Sequence, residues 1–264
     1  MQKKSALLVV SFGTAYPEAG KKTIGMIERG LASAFIHRTM YSAWTSRRIV
    51  QKLKKTHGIS RDTLPEALER MHKQGVADVL IQPTYMLDGT ENENMLHTVR
   101  NYRERFDTVA VGSPLLNSRS DVRELATALE RLLSGIPSSE SVVFMGHGST
   151  QMKLPVYDIL NKMFKEDGFA HFIVGTVEHE PGFLPVLDHV QSRLPDKVIL
   201  TPLLVTAGNH ALYDMIGEHD GSWKAQLEKA GVETKCSLKG LGEYREIREL
   251  YIRRAKEAES KVLR

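Results

Sequence analysis

Two histidines and one glutamate stand at comparable places in the second half of the chain. His147, Glu178 and His210 each follow a short apolar run that is bounded by glycine, proline or polar residues. Two imidazoles and a carboxylate form a borderline set of nitrogen and oxygen ligands, which suits Fe(II), Co(II), Ni(II) or Zn(II). Because three protein ligands leave coordination positions open, the set indicates metal exchange or catalysis rather than a structural metal site.

Each of these residues also has an ordinary structural interpretation. His147, between Gly146 and Gly148, is compatible with a plain turn residue. His210 is compatible with a surface position at the start of a helix, and Glu178 with a solvated loop. The spacing along the chain forms no local metal-binding motif, so the grouping depends on the fold that positions the three side chains.

Short apolar, β-branched runs alternate with amphipathic stretches along the whole chain, which predicts an α/β fold with parallel sheets. In such sheets ligands bind beyond the carboxyl ends of the strands, where helix N-termini point their N–H groups at the site. We predict strands over 7–10, 39–43, 79–82, 109–111, 142–145, 172–177, 198–205 and 234–238. We predict helices over 21–34, 46–55, 64–74, 91–106, 121–133, 153–165, 182–194, 210–216, 222–230 and 244–258.

The two halves of the chain resemble each other, which predicts an internal duplication. Segments that match in the same order are 8–14 with 143–149, 37–45 with 171–179, 79–83 with 198–202, and 122–125 with 247–250. We therefore predict two similar α/β domains, over 1–134 and 135–264. The Gly/Pro/Ser-rich segment 135–139 is the candidate linker, and the C-terminal helix at about 244–258 is free to pack on the N-terminal domain.

The duplication assigns counterparts to the three candidate ligands. Phe12, Trp44 and Glu91 occupy the equivalent positions in the first half. One half therefore presents two imidazoles and a carboxylate, and the other presents two aromatic rings and a carboxylate. Phe12 and Trp44 would ordinarily be interpreted as core residues, and Glu91 is equally well explained as a first-turn carboxylate that the helix dipole favours.

The composition excludes several classes of protein. With 264 residues, 41% of them hydrophobic and 26% charged, we expect a soluble globular protein rather than a disordered or collagen-like one. The formal net charge of +4 is too small for a nucleic-acid-binding surface unless the basic residues cluster. We therefore expect no nucleic-acid partner. The segment 15–23 only approaches a P-loop, and 146–151 lacks the third glycine of a dinucleotide fingerprint, so we expect neither ATP nor a dinucleotide.

The cysteine content and the lengths of the apolar runs indicate the cellular compartment of the protein. The single cysteine, Cys236, rules out an intramolecular disulfide and fits a reducing compartment. The apolar run 6–10 is too short for a signal peptide, and no later run approaches the ~20 apolar residues that span a membrane. We predict a cytoplasmic protein without membrane contact.

Four segments together resemble one enzyme family. They are LLVVSFGT at 7–14, VVFMGHG at 142–148, AGNHA at 207–211 with Asp214 and Met215 after it, and DGSWK at 220–224. They are similar to the anaerobic cobalt chelatases of cobalamin biosynthesis, and the resemblance runs from about residue 5 to Tyr251. The resemblance implies ATP-independent insertion of Co(II) into sirohydrochlorin, with no organic cofactor. It also implies the chelatase fold, in which two Rossmann-like domains enclose the tetrapyrrole in a cleft.

The resemblance further implies roles for individual residues. The metal-binding histidines of the family fall on His147 and His210, and its acidic active-site positions fall on Glu91 and Glu178. As a hypothesis, His147, Glu178 and His210 hold the metal, one histidine acts as general base, and Glu91 serves catalysis from the other domain. Phe12 and Trp44 are then candidates for contact with the macrocycle.

Several points stay open at this level. Cobalt, iron and nickel satisfy the same ligand set, so metal selectivity is undetermined. The residues that bind the substrate carboxylates, the role of Arg47 and Arg48, the histidine that acts as base and the oligomeric state, a homo-oligomer included, are also undetermined. Two alternative functions are a non-catalytic carrier of metal or tetrapyrrole and a metal-dependent hydrolase whose open site activates water.

Overall fold

The protein is described from a computed structural model that covers residues 4–149 and 151–262. Within these residues the strands form two parallel four-stranded sheets. Each predicted strand is present, which confirms the α/β class. The strands are β1 (Lys4–Ser11), β2 (Thr39–Trp44), β3 (Val76–Pro83), β4 (Thr108–Val111), β5 (Ser141–Gly146), β6 (Phe172–Thr176), β7 (Val198–Pro202) and β8 (Thr234–Cys236).

Helices connect the strands and cover the sheets. They are α1 (Pro17–Lys22), α2 (Ile24–Ala34), α3 (Arg47–His57), α4 (Leu64–Lys73), α5 (Thr90–Tyr102), α6 (Arg119–Leu132), α7 (Val156–Glu166), α8 (Phe183–Arg193), α9 (Trp223–Lys229) and α10 (Arg245–Val262), with a short π-helix over Ala211–Met215. The helix predicted over 21–34 is in fact two helices that meet at Thr23, whose hydroxyl donates to the carbonyl of Ala19 at 2.6 Å. Every helix in the described part of the chain is too short or too polar to cross a lipid bilayer.

The two sheets have the same strand order. The first sheet runs β2-β1-β3-β4 and the second runs β6-β5-β7-β8, and all neighbouring strands are parallel. Each strand of the second sheet therefore occupies the place of its counterpart in the first, which confirms the predicted internal duplication. The inner strands β1 and β5 are almost entirely buried, because helices cover both faces of a parallel sheet.

The described chain divides into two compact units. One contains the residues up to Asn117 together with those from Gly242 onward, and the other is Ser118–Leu241. Helix α6 belongs to the second unit, because it packs on α7 and its Arg123 forms an ion pair with Asp167. The unit boundary therefore precedes α6, whereas the sequence suggested 134/135, and the segment 135–139 lies inside the second unit.

Helix α10 returns to the first unit. It packs against α2, β3 and β4. The hydroxyl of the buried Tyr251 donates to the carbonyl of Thr84 at 3.0 Å, and Arg38 Nε donates to Glu259 Oε1 at 2.8 Å. The first unit is thus built from two separate parts of the chain. That the two units fold as separate domains stays a prediction.

Candidate metal centre

His147, Glu178 and His210 lie at the carboxyl edge of the second sheet. His147 directly follows β5, Glu178 follows β6, and His210 follows β7. The strand order places β5 between β6 and β7, so the three loops are neighbours. One ligand atom from each side chain lies within 4.8 Å of the other two. The structure thus brings the three side chains together, and their role as metal ligands stays a prediction.

The three side chains leave room for an ion and access from solvent. His147 Nδ1 lies 3.6 Å from Glu178 Oε2, and the two imidazole centroids are 4.7 Å apart with their planes at 86°. The side chains of His147 and Glu178 are each 46% exposed. Ligand atoms that share one ion at bonds of ~2 Å are separated by up to about 4 Å. The candidate ligand atoms lie within 4.8 Å of one another, only slightly beyond this limit, so small side-chain rotations are sufficient to close the set around a divalent cation.

The backbone around His147 is fixed by two glycines. The amide of Glu178 donates to the carbonyl of His147 at 3.0 Å, which continues the β5–β6 ladder beyond the strand ends. Gly148 then adopts a φ of +88°, and a Cβ at that position would lie 2.9 Å from the backbone nitrogen of His179. A Cβ at Gly146 would lie 2.7 Å from the ring of Tyr157. Only glycine fits these two positions without displacement of a neighbour.

Tyr157, on α7, contacts the same loop through its hydroxyl group. Its ring is 1% exposed, and its hydroxyl oxygen accepts a hydrogen bond from the amide of Gly148 at 3.3 Å. Burial raises the pKa of Tyr157 to about 12, so the hydroxyl is neutral at physiological pH. Sequence reasoning missed this residue, because a tyrosine on the buried face of an amphipathic helix looks like any other core residue.

His210 stands at the start of the π-helix that follows β7. Its Nδ1 lies 2.8 Å from Oδ2 of Asp214, four residues later. Single-turn π-helices are rare and concentrate at functional sites. Asp214 belongs to one of the motifs that carry the family resemblance, but sequence reasoning gave it no role. The four-residue spacing between a histidine and a carboxylate in that motif is the signal that could have identified the pair.

The two aromatic candidates of the first half, Phe12 and Trp44, differ in their exposure to solvent. Phe12 directly follows β1 and is 43% exposed. Trp44 ends β2, is 4% exposed and packs with Ile24 and Leu53. A Cβ at Gly13 would lie 2.5 Å from the Trp44 ring, so the backbone passes directly over the indole. The structure favours the core interpretation for Trp44, whose ring offers almost no surface to a ligand.

Glu91 lies in the first unit, in the first turn of α5, and is exposed. Its negative charge affects the pKa of a buried tyrosine, Tyr85. Burial raises the pKa of the Tyr85 phenol, the hydrogen bond to Thr45 partly offsets this, and the negative charge of Glu91 raises the pKa further. The hydroxyl of Tyr85 donates to Thr45 Oγ1 at 3.2 Å. Glu91 and Phe12 thus belong to the first unit, and the three candidate ligands to the second.

The whole chain is similar to known metal chelatases. A family model described as cobalt chelatase (CbiK) matches residues 5–260. The chain is 36% identical over 249 residues to the sirohydrochlorin cobaltochelatase of Salmonella typhimurium, with 94% of each chain covered. It is 30% identical over 252 residues to the sirohydrochlorin cobaltochelatase CbiKC of Nitratidesulfovibrio vulgaris, with 91% of this chain and 86% of that protein covered.

The fold is also found among solved structures. The structure of SirB from Bacillus subtilis with Fe3+ superimposes with a TM-score of 0.68 over 98% of this chain and 97% of that chain. The two sequences are 15% identical. At this level of identity the comparison supports the fold alone, and it agrees with the predicted arrangement of two parallel sheets.

Proposed function

Because this chain belongs to the cobalt chelatase (CbiK) family, we propose that it inserts Co(II) into sirohydrochlorin and that His147, Glu178 and His210 hold the ion before transfer. The observation that carries the assignment of ligands is their convergence from three neighbouring strand ends to within 4.8 Å. Two imidazoles and one carboxylate suit Co(II), and the set leaves coordination positions free for the incoming pyrrole nitrogens.

The exposure of the ligands is consistent with transfer rather than storage. Metal insertion replaces two pyrrole N–H protons by one dication, so the protein must release the ion as the macrocycle nitrogens bind it. His147 and Glu178 are about half exposed, and the described residues enclose no fourth protein ligand with them. Three ligands with an open side allow the macrocycle to approach the ion directly.

The two protons that leave the macrocycle need acceptors. A neutral imidazole accepts one proton once its nitrogen no longer binds metal, so His147 or His210 serves as general base. We assign Glu91 as a further proton acceptor. Its exposure in the first turn of α5 supports this role, as does the family resemblance, in which the acidic active-site positions fall on Glu91 and Glu178. Phe12, with its exposed ring beyond β1, is the proposed apolar contact for the macrocycle.

The proposal also covers partners and location. The substrates are Co(II) and the tetrapyrrole, and no organic cofactor takes part in the exchange of protons for metal. We expect neither nucleic acid nor a membrane as a partner. The single cysteine supports a place in the cytoplasm, since it needs no oxidising compartment.

An absorbance assay tests the function. Metal-free protein is mixed anaerobically with sirohydrochlorin and Co(II), and the spectrum of the macrocycle is followed over many turnovers. We expect a catalysed spectral change in the wild type, its loss in H147A and H210A, and its retention in H57A, a matched change of an exposed histidine on α3. Stoichiometric binding without turnover would identify a carrier, and full activity in both site variants would reject the assigned ligands.

A further inference from the structure

We propose that Asp214 is a positioning residue that fixes the tautomer of His210 and thereby directs Nε2 of that histidine to the metal. The inference rests on the proposed role of His210 as a ligand. Nδ1 of His210 lies 2.8 Å from Oδ2 of Asp214. An ionised carboxylate only accepts hydrogen bonds, so the proton of the neutral imidazole sits on Nδ1. The lone pair is then on Nε2, the nitrogen that remains available for coordination.

The local structure holds this pair in place. His210 and Asp214 are each followed by a fully buried residue, Ala211 and Met215, both 0% exposed. The two residues are therefore anchored to the core of the second unit at both ends of the π-helix. Their own side chains are 29% and 27% exposed, so water competes only partly for the hydrogen bond. A pair that is anchored in this way needs little reorganisation when a metal ion arrives.

His147 also has a hydrogen-bond acceptor beside Nδ1, but that acceptor is a backbone carbonyl. Its Nδ1 lies 2.9 Å from the carbonyl oxygen of Gly148, while Glu178 Oε2 is 3.6 Å from the same nitrogen. A proton on Nδ1 therefore leaves Nε2 of His147 free as well. The acceptor for His147 is a neutral peptide group, whereas the acceptor for His210 is a carboxylate. A carboxylate partner fixes the tautomer and the ring orientation of a ligating imidazole, and outer partners of this kind typically contribute 10–100-fold to metal affinity.

A purely structural role for Asp214 makes different predictions. Residues four apart on a helical segment often pair without any functional consequence, as Lys224 and Glu228 do on α9 at 3.5 Å. Such a pair would affect folding stability and leave the proton on either ring nitrogen of His210. The tautomer of His210 and the affinity for free Co(II) therefore separate the two roles, and neither readout requires the tetrapyrrole.

The test uses the full-length metal-free protein with 15N-labelled histidine. In the wild type, two-bond 1H–15N correlations should show His210 protonated at Nδ1. In D214A no side-chain acceptor holds the proton on Nδ1 of His210, so Nε2 carries the ring proton in part of the molecules and is less available for coordination. Calorimetric titration with Co(II) alone should then show a Kd about 10–100-fold weaker. D214E, which keeps an acceptor, should restore the Nδ1 proton and part of the affinity, and E228Q should match the wild type.

Each outcome either supports or overturns the proposal. A wild-type tautomer together with a Kd within about twofold of wild type in D214A would overturn it. If D214A does not fold, D214E decides, because an Nε2 proton in that variant contradicts the proposed role. H210A distinguishes the two levels of inference: if it binds Co(II) as tightly as the wild type, the assignment of His210 as a ligand fails, whatever Asp214 does.

Discussion

The hydroxyl oxygen of Tyr157 accepts a hydrogen bond from the backbone N–H of Gly148 at 3.3 Å, one residue beyond the candidate ligand His147. The contact joins the buried face of α7 to the loop at the carboxyl end of β5. A core side chain therefore contacts the backbone from which the imidazole of His147 reaches the candidate metal centre.

Replacement of Tyr157 by phenylalanine tests this support. Y157F leaves the Gly148 N–H buried without its acceptor, which costs about 1–2 kcal/mol of folding stability. Because the loop carries His147, we also expect several-fold weaker Co(II) binding in calorimetric titration. Y251F is the matched control, since it removes a similarly buried tyrosine hydroxyl that donates to Thr84 in the first unit. It should lower stability by a similar amount and leave the Co(II) affinity unchanged. Equal Co(II) affinity in both variants would show that Tyr157 has no role beyond the core.

Gly148 is expected to resist substitution more strongly than an exposed glycine with the same backbone conformation. G148A combines a φ of +88° with a Cβ 2.9 Å from the His179 nitrogen. Gly168 has a φ of +85°, and a Cβ there would meet no atom within 4 Å, so G168A carries only the backbone cost of ~1–2 kcal/mol. Urea denaturation should show a larger loss for G148A, and Co(II) binding should weaken in G148A alone. Similar stability losses in the two variants would mean that the loop relaxes freely around the new methyl group.

The proposed proton acceptor Glu91 can be separated from the metal ligands. E91Q should lower kcat for cobalt insertion by about 10²–10⁴-fold, the range for loss of a general acid or base. Binding of Co(II) alone should not change, because Glu91 is not among the clustered ligand atoms. E93Q alters another exposed first-turn carboxylate of α5 and should retain wild-type turnover. Wild-type kcat in E91Q would remove Glu91 from the reaction.

The free energy of unfolding should decrease as the pH rises, because of Glu130 on α6 in the second unit. Burial, assisted by the nearby charge of Asp167, raises the pKa of Glu130 to about 7 from 4.5. A carboxyl whose pKa is higher in the folded state contributes its full stability below about pH 4.5 and loses it as the pH rises through about 7. E130Q resembles the protonated form, so we expect it to stabilise the protein by about 1–3 kcal/mol at pH 8 and by little at pH 4.5. Urea denaturation at the two pH values measures the difference, and a pH-independent effect would contradict the raised pKa.

Much of the fold was accessible from the sequence for a simple reason. Strands buried on both faces appear as short apolar runs, and the parallel topology then follows from their alternation with amphipathic helices. The same logic grouped His147, Glu178 and His210, because residues after adjacent parallel strands must lie at one edge of the sheet. The candidate ligands were thus predictable without any local motif.

Other features depend on packing that no local pattern records. The amphipathic pattern of α6 shows that the helix covers a sheet but not which of the two, so its place in the second unit was not predictable. The sequence placed both Phe12 and Trp44 just after a strand, whereas Trp44 is the last residue of β2 and the backbone at Gly13 closes over its ring. The π-helix after His210 contains the fully buried Ala211 and Met215, and no local sequence pattern distinguishes it from an ordinary helical turn.

The return of α10 to the first unit has a consequence for the order of folding during synthesis. The ribosome produces all of Ser118–Leu241 before it produces the helix that completes the first sheet's packing. Until then, the surface of α2 and β4 that α10 covers stays exposed in the nascent N-terminal segment. The second unit is continuous in the chain, so its folding does not require α10. Although it is translated first, the N-terminal unit cannot complete its packing until the last helix has been synthesised.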